Sequence, residues 1–90
     1  MAFTATITKV VRVDLTINVE ALYEWPERSF SQARAYNIHN GAYGIHWSDG
    51  GVAKRAALKA FVLGEGQALK LAVDSADDLD NLIGDVQNVA

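Results

Sequence analysis

The stretch VRVDLTINVEA, residues 11–21, alternates apolar and polar side chains without an exception. Because the side chains of a β-strand point to opposite faces in turn, this alternation predicts one half-buried strand from Val11 to Ala21. At about 3.3 Å per residue it would be roughly 36 Å long, whereas most strands have about five or six residues. The stretch therefore predicts a sheet led by one unusually long strand, which crosses the domain, bends or projects from it.

The alternation extends towards the N-terminus with one interruption. Ala5 and Ile7 keep the apolar phase, but Lys9 occupies an apolar position and Val10 a polar one. Two adjacent exceptions predict a β-bulge or a bend at this point. The alternative is an inward-pointing lysine that discourages pairing at a sheet edge.

Residues 26–74 are interpreted as the rest of an antiparallel meander. Pro26 is suited to the first position of a short helix that would run through Ser29 to Ala35. The alternation from Phe30 to Ile38 equally fits a strand, which is the interpretation favoured over Ala35–His39. Asn40-Gly41 and Asp49-Gly50 are typical of hairpin turns, and Gly64-Glu65-Gly66 fits a three-residue loop. Further strands are therefore predicted at 42–48, 51–63 and 67–74.

Residues 52–63 also fit a helix. Starting from Ala53, alanines and Phe61 recur at i, i+3, i+4, i+7 and i+8, and the residues between them are good helix formers. Gly64 would then follow the end of that helix. The two interpretations are nearly balanced, and the strand is slightly favoured by the loop predicted after it.

The C-terminal residues predict an amphipathic helix. Ser75 is a typical N-cap, and Asp78 stands three residues later, as in a capping box. Apolar residues then follow at helical spacing: Leu79, Leu82, Ile83, Val86 and Val89. The predicted fold class is α+β, an antiparallel sheet with a C-terminal helix packed on one face, in a single domain of residues 1–90.

Composition excludes several classes of protein. The 90 residues include no cysteine, which rules out disulfides, thiolate metal sites and a thiol nucleophile. The chain contains neither the pattern of a signal peptide nor an apolar run of about 20 residues, the length of a membrane span. We therefore expect a protein of the cytoplasm or of an assembled particle, with no membrane partner.

Charge is unevenly distributed along the chain. Residues 1–59 hold seven Lys or Arg against five acids, whereas residues 60–90 hold one against six, and the net charge is −3. This balance disfavours direct binding of nucleic acid. Asp77, Asp80 and Asp85 give the predicted C-terminal helix an acidic face, which is either simply solvated or docks on a basic partner.

Residues capable of chemistry are few. His39 and His46 flank Asn40-Gly41, and with Trp47 nearby they suggest a metal site or proton transfer, although histidines half exposed on strands need no such role. The serines have ordinary explanations in strands, turns or caps, and none stands with a base at motif spacing. We therefore expect a protein that is not an enzyme and has no cofactor.

Three functions remain, in order of preference. The first is a non-enzymatic protein-interaction module, such as an inhibitor or adaptor, which binds a protein partner through the edge of the long strand or through the acidic helix. The second is a self-associating structural subunit of a larger particle, and the third is a small ligand-binding or catalytic domain around His39, His46 and Trp47. The candidate partner-binding residues are Arg12, Asp14, Glu20, Trp47, Asp77, Asp80 and Asp85.

Overall fold

Three antiparallel strands are followed by one long helix. A computed structural model describes residues 3–89. The elements are β1 at Thr4–Val13, β2 at Thr16–Trp25, β3 at Phe30–Ile38 and α1 at Gly51–Leu79, with short 3-10 turns at Pro26–Arg28, Ala42–Gly44 and Asp80–Leu82. The strands pair in the order β1-β2-β3, and α1 packs on one face of the sheet. The α+β class, the antiparallel sheet and the helix on one face are confirmed.

The predicted single strand from Val11 to Ala21 is wrong, because the chain reverses at Asp14-Leu15. Val13 pairs with Thr16 across this two-residue turn, in which Asp14 has a φ of +56°. Aspartate tolerates this left-handed conformation better than most residues, and Thr16 Oγ1 donates to the Val13 carbonyl at 2.9 Å. A two-residue turn preserves the alternation while exchanging the two faces, so the pattern carries no sign of the reversal.

The predicted β-bulge is confirmed between Ile7 and Lys9. These two residues pair with Ala21 and Glu20, which are adjacent on β2, so Thr8 is the extra residue. Lys9 lies on the outer face of the sheet, where its Nζ is 3.5 Å from Glu20 Oε2. The alternative of an inward-pointing lysine is therefore wrong.

Of the two interpretations of the residues after Pro26, the strand is correct and the helix running through Ser29 to Ala35 is wrong. Pro26–Arg28 forms a 3-10 turn with proline at its start, and Ser29, with a φ of +51°, leads into β3. β3 spans Phe30–Ile38, so the strand predicted over Ala35–His39 is confirmed apart from its last residue.

The strands predicted at 51–63 and 67–74 are wrong, because residues 51–79 form one helix, and the strand predicted at 42–48 is wrong, because those residues form a 3-10 turn and a loop. Asn40-Gly41 opens a short loop in which Gly41 has a φ of +87°, and Gly50 is the N-cap of α1, so neither dipeptide makes a hairpin turn. The helical interpretation of residues 52–63 is the correct one.

The helix continues through Gly64 and Gly66, although each glycine costs about 1 kcal/mol relative to alanine. The alanines, leucines and lysines around them are strong helix formers, and the buried Val62 and Leu69 fix the helix on the sheet. A Cβ at position 66 would lie 3.2 Å from Cε1 of Tyr23. Gly66 therefore allows close contact between helix and sheet and does not form the predicted loop.

The helix predicted from Ser75 to Val89 has the wrong bounds. Ser75 lies inside α1, which ends at Leu79, and after the 3-10 turn at Asp80–Leu82 the described residues have no regular secondary structure. The apolar side chains that were predicted to pack on the sheet are 55–91% exposed: Leu79, Leu82, Ile83, Val86 and Val89. A short helix needs tertiary packing, and here these side chains have no core to pack against.

Tyr23 lies at the centre of the core and is completely buried. Its hydroxyl is 2.9 Å from that of Tyr36 and donates to the Val62 carbonyl at 3.2 Å. Burial, reinforced by the hydrogen bond with Tyr36, raises the pKa of Tyr23 well above its usual value. A second apolar cluster lies beside the N-terminal part of α1: Val19, Ile38 and Ile45.

Candidate interaction surface

The acidic residues predicted to form one helix face are divided between two environments. Asp77 forms an ion pair with Arg28, which also lies 3.1 Å from Asp74 Oδ1. The Arg28 guanidinium stands over the ring of Trp25, 4.8 Å from its centroid. Asp77 therefore attaches the turn after β2 to α1, which is an intramolecular role.

Asp80 and Asp85 lie beyond α1 and are exposed. Asp80 begins the 3-10 turn, and Asp85 accepts a hydrogen bond of 2.5 Å from Gln87 Nε2. Their carboxylates thus belong to a short C-terminal segment and not to a face of α1.

Arg12, Asp14 and Trp47, predicted separately, come together at the β1–β2 turn. They line a cleft of about 230 Å³ with Leu15 among the other lining residues. Arg12 Nη1 donates to the Asp14 carbonyl at 2.9 Å. Glu20, the remaining candidate of the strand, lies elsewhere, beside Lys9 on the outer face of the sheet.

Trp47 is held in place by the loop before α1. Its backbone N–H donates to Asn40 Oδ1 at 2.9 Å, and Lys54 Nζ donates to its carbonyl at 3.5 Å. Its indole Nε1 is buried and meets no acceptor among residues 3–89. The ring therefore closes one side of the cleft at the hairpin turn.

His39 and His46 belong to the same loop and are both exposed. His39 follows β3, and the His46 ring lies beside Gly41, 3.7 Å from where a Cβ would stand. Residues 3–89 contain no cluster of three or more His, Asp or Glu side chains that could hold a metal ion.

An apolar groove that the sequence did not predict lies between β1 and α1, and we call it the β1–α1 groove. One part has a volume of about 430 Å³ and is lined by Ala5, Ile7, Lys59, Val62 and Leu63. The adjoining part has about 260 Å³ and is lined by Phe3, Ala5, Leu63, Gly66, Gln67 and Lys70. Because Ala5 and Leu63 line both parts, the groove is continuous.

The groove borders a free edge of the sheet. β1 pairs only with β2 among the described residues, so its other edge has no strand partner there. The helical spacing of Ala53, Ala56 and Ala60 in the sequence was the signal that could have revealed this surface. The strand predicted over these residues left out the helix that forms one wall of the groove.

Apolar residues are also exposed on the side of α1 away from the sheet. Small residues recur along α1 at every fourth position, winding around the helix, and all are exposed: Ala56, Ala60, Gly64, Ala68, Ala72 and Ala76. Leu71 and Leu79 extend from the same helix and are likewise exposed. A surface helix usually presents polar side chains on this side, so α1 carries more uncovered apolar surface than a solvated helix needs.

No helix within residues 3–89 is both long enough and apolar enough to span a membrane. Comparison of the chain with protein-family models, with curated proteins and with solved structures gives no match.

Proposed function

We propose that this protein is a non-enzymatic interaction module that works in a complex with another protein chain. The observation that carries the proposal is the ratio of covered to uncovered apolar side chains. Among residues 3–89, seven hydrophobic residues are buried, whereas thirteen large ones are exposed. Five of the thirteen lie within residues 79–89 and Leu63 lines the β1–α1 groove, and clustered exposed apolar residues mark sites of association in soluble proteins.

The shape of the molecule supports the same conclusion. Its radius of gyration is 17.6 Å and its principal extents are 57 × 36 × 20 Å. A compact domain of this length has a radius of gyration of about 12 Å. An elongated chain with a small core gains stability when a partner covers its apolar surface.

The two faces of the sheet differ in the way this function requires. Away from the β1–β2 turn, where Val11 and Val13 are exposed, the outer face presents small and polar side chains such as Thr4, Thr6, Ser31 and Ala33, all exposed. The β1–α1 groove on the opposite side is apolar, with two lysines at its rim. The groove is therefore the preferred contact surface, and the outer face provides matched control positions.

Site-specific photo-crosslinking in the cells that make the protein tests this proposal. A photo-reactive phenylalanine derivative at Leu63, in the groove, is expected to give discrete protein adducts, while the same residue at Ala33 gives none. Both positions are exposed, so both variants retain the fold, which circular dichroism checks. Adducts at neither position, or equal adducts at both, would contradict the proposal.

Self-association as a structural subunit is the second candidate, because the chain contains both an apolar groove and an exposed apolar segment of its own. Sedimentation velocity of the purified protein over a wide range of concentrations separates the two cases. A mass that rises with concentration supports self-association, whereas a constant monomer mass assigns the groove to a different protein.

A further inference from the structure

We propose that the C-terminal segment of one copy, residues 79–89, folds as an amphipathic helix in the β1–α1 groove of a second copy. This inference rests on the proposed use of the groove as a contact surface, takes up self-association, the second candidate above, and names the partner as the chain itself. It accounts for two surfaces of the same molecule that are otherwise unexplained.

The first surface is the C-terminal segment. Its apolar residues recur at i, i+3, i+4, i+7 and i+10, the spacing that places side chains on one face of a helix. In the isolated chain they are 55–91% exposed, and no regular helix forms after Leu79. The spacing thus specifies a helix for which the chain itself supplies no packing surface.

The second surface is the groove, whose length matches such a helix. Along α1 it extends from Lys59 to Lys70, which corresponds to about 16 Å at 1.5 Å per residue. A helix over residues 79–89 is about 15 Å long by the same measure. An apolar groove of this length fits three turns of an amphipathic helix.

Charge complementarity supports the same pairing. Lys59 and Lys70 line the groove, no acidic residue does, and neither lysine forms an ion pair within residues 3–89. In a helix over residues 79–89, Asp80 and Asp85 would flank the apolar face, one on each side. The acidic segment and the lysine-lined groove are therefore suited to each other.

The geometry of the chain favours a second copy over the segment's own groove. The groove ends near Lys70, nine residues before the end of α1, or about 14 Å along the helix. To fold back on its own chain, the segment would have to use the turn at Asp80–Leu82, which leaves the seven residues Ile83–Val89. As a helix these residues cover only about 10 Å. The segment therefore does not reach the groove of its own chain in helical form.

Disulfide trapping tests this docking, and the absence of native cysteine gives it a clean background. Chains carrying Leu63→Cys are mixed with chains carrying Val86→Cys and oxidised, and a mixed disulfide dimer is expected. Both positions are exposed, so neither substitution disturbs the core. The control replaces Leu63→Cys by Ala33→Cys, on the outer face of β3, and is expected to give only background product.

A charge exchange provides the second readout. Lys59→Glu with Lys70→Glu is expected to weaken association about tenfold, and adding Asp80→Lys with Asp85→Lys is expected to restore it. Association that persists without the mixed disulfide, or is indifferent to these charges, overturns the docking and leaves the proposed function standing. A chain that neither self-associates nor forms photo-adducts at Leu63 overturns both.

Discussion

At the scale of single residues, Tyr23 connects β2 with both β3 and α1. Its buried hydroxyl bridges Tyr36 on β3 and the Val62 carbonyl on α1. We expect Tyr23→Phe to lower the free energy of unfolding by about 1–2 kcal/mol, because it removes two hydrogen bonds and leaves the Tyr36 hydroxyl with one partner fewer. Urea unfolding measures the change. Tyr36→Phe, which retains the bond to Val62, should cost less, and an equal cost would contradict this account.

The same hydroxyl makes stability depend on alkaline pH. The folded-state pKa of Tyr23 is raised above its unfolded value near 10, so the folded protein resists ionisation that the unfolded chain accepts. The contribution is fully present below pH 10 and is lost as the pH rises towards the folded pKa, at about 1.4 kcal/mol per pH unit. Tyr23→Phe is expected to make the unfolding curve flatter over this range. An identical slope in the variant would contradict the assignment.

Gly64 and Gly66 form a matched pair within α1. A Cβ at Gly64 meets nothing within 4 Å, whereas one at Gly66 lies 3.2 Å and 3.3 Å from two ring carbons of Tyr23. Gly64→Ala is therefore expected to stabilise the protein by about 0.5–1 kcal/mol through helix propensity. Gly66→Ala is expected to destabilise it, because overpacking costs about 1–3 kcal/mol. Thermal unfolding measures the Tm of both variants. A change of Tm in the same direction in both would show that the close contact is unimportant.

At the scale of elements, the turn at Pro26–Arg28 is attached to α1 by Arg28. The guanidinium contacts Asp74, Asp77 and the ring of Trp25, and its side chain is 35% exposed. Solvent screening reduces each of these contacts, so Arg28→Ala is expected to cost only about 1 kcal/mol. Lys9→Ala, which removes the more exposed pair with Glu20, is the control and should cost close to nothing. Equal losses in the two variants would contradict the attachment.

The sequence predicts the sheet elements better than their boundaries. The alternation correctly indicates strands, and the mismatch at Lys9 correctly locates the bulge. The reversal at Asp14-Leu15 is hidden because a two-residue turn of this kind leaves the period intact. Only the partner strand determines which face each residue takes, and a local pattern does not contain that information.

The helix was obscured by local signals that tertiary contacts override. Four turn-like signals favoured the wrong prediction of strands over the residues of α1: Asn40-Gly41, Asp49-Gly50, Gly64 and Gly66. Val62 and Leu69, buried on the sheet, offset the cost of the glycines. The β1–α1 groove depends on this helix, so it could not be predicted.

At the scale of the whole molecule, uncovered apolar surface couples stability to association. If the C-terminal segments of two copies occupy each other's grooves, each tenfold rise in total concentration above Kd adds about 0.7 kcal/mol per chain to the stability of the folded state, because the free monomer rises as the square root of the total. For a chain of this size the Tm is then expected to rise by several degrees. Calorimetry at increasing protein concentration measures this dependence.

Val86→Asp separates association from intrinsic stability. Val86 is 89% exposed, so the variant is expected to keep the Tm of the dilute protein. A charged side chain in the apolar face of the docked helix would have to be buried without a partner, so the variant should lose the rise of Tm with concentration. A matched change at Gln87, which lies off that face, should leave the rise intact. A rise retained by Val86→Asp, or a lower Tm already in dilute solution, would contradict the idea that this segment acts through a second chain.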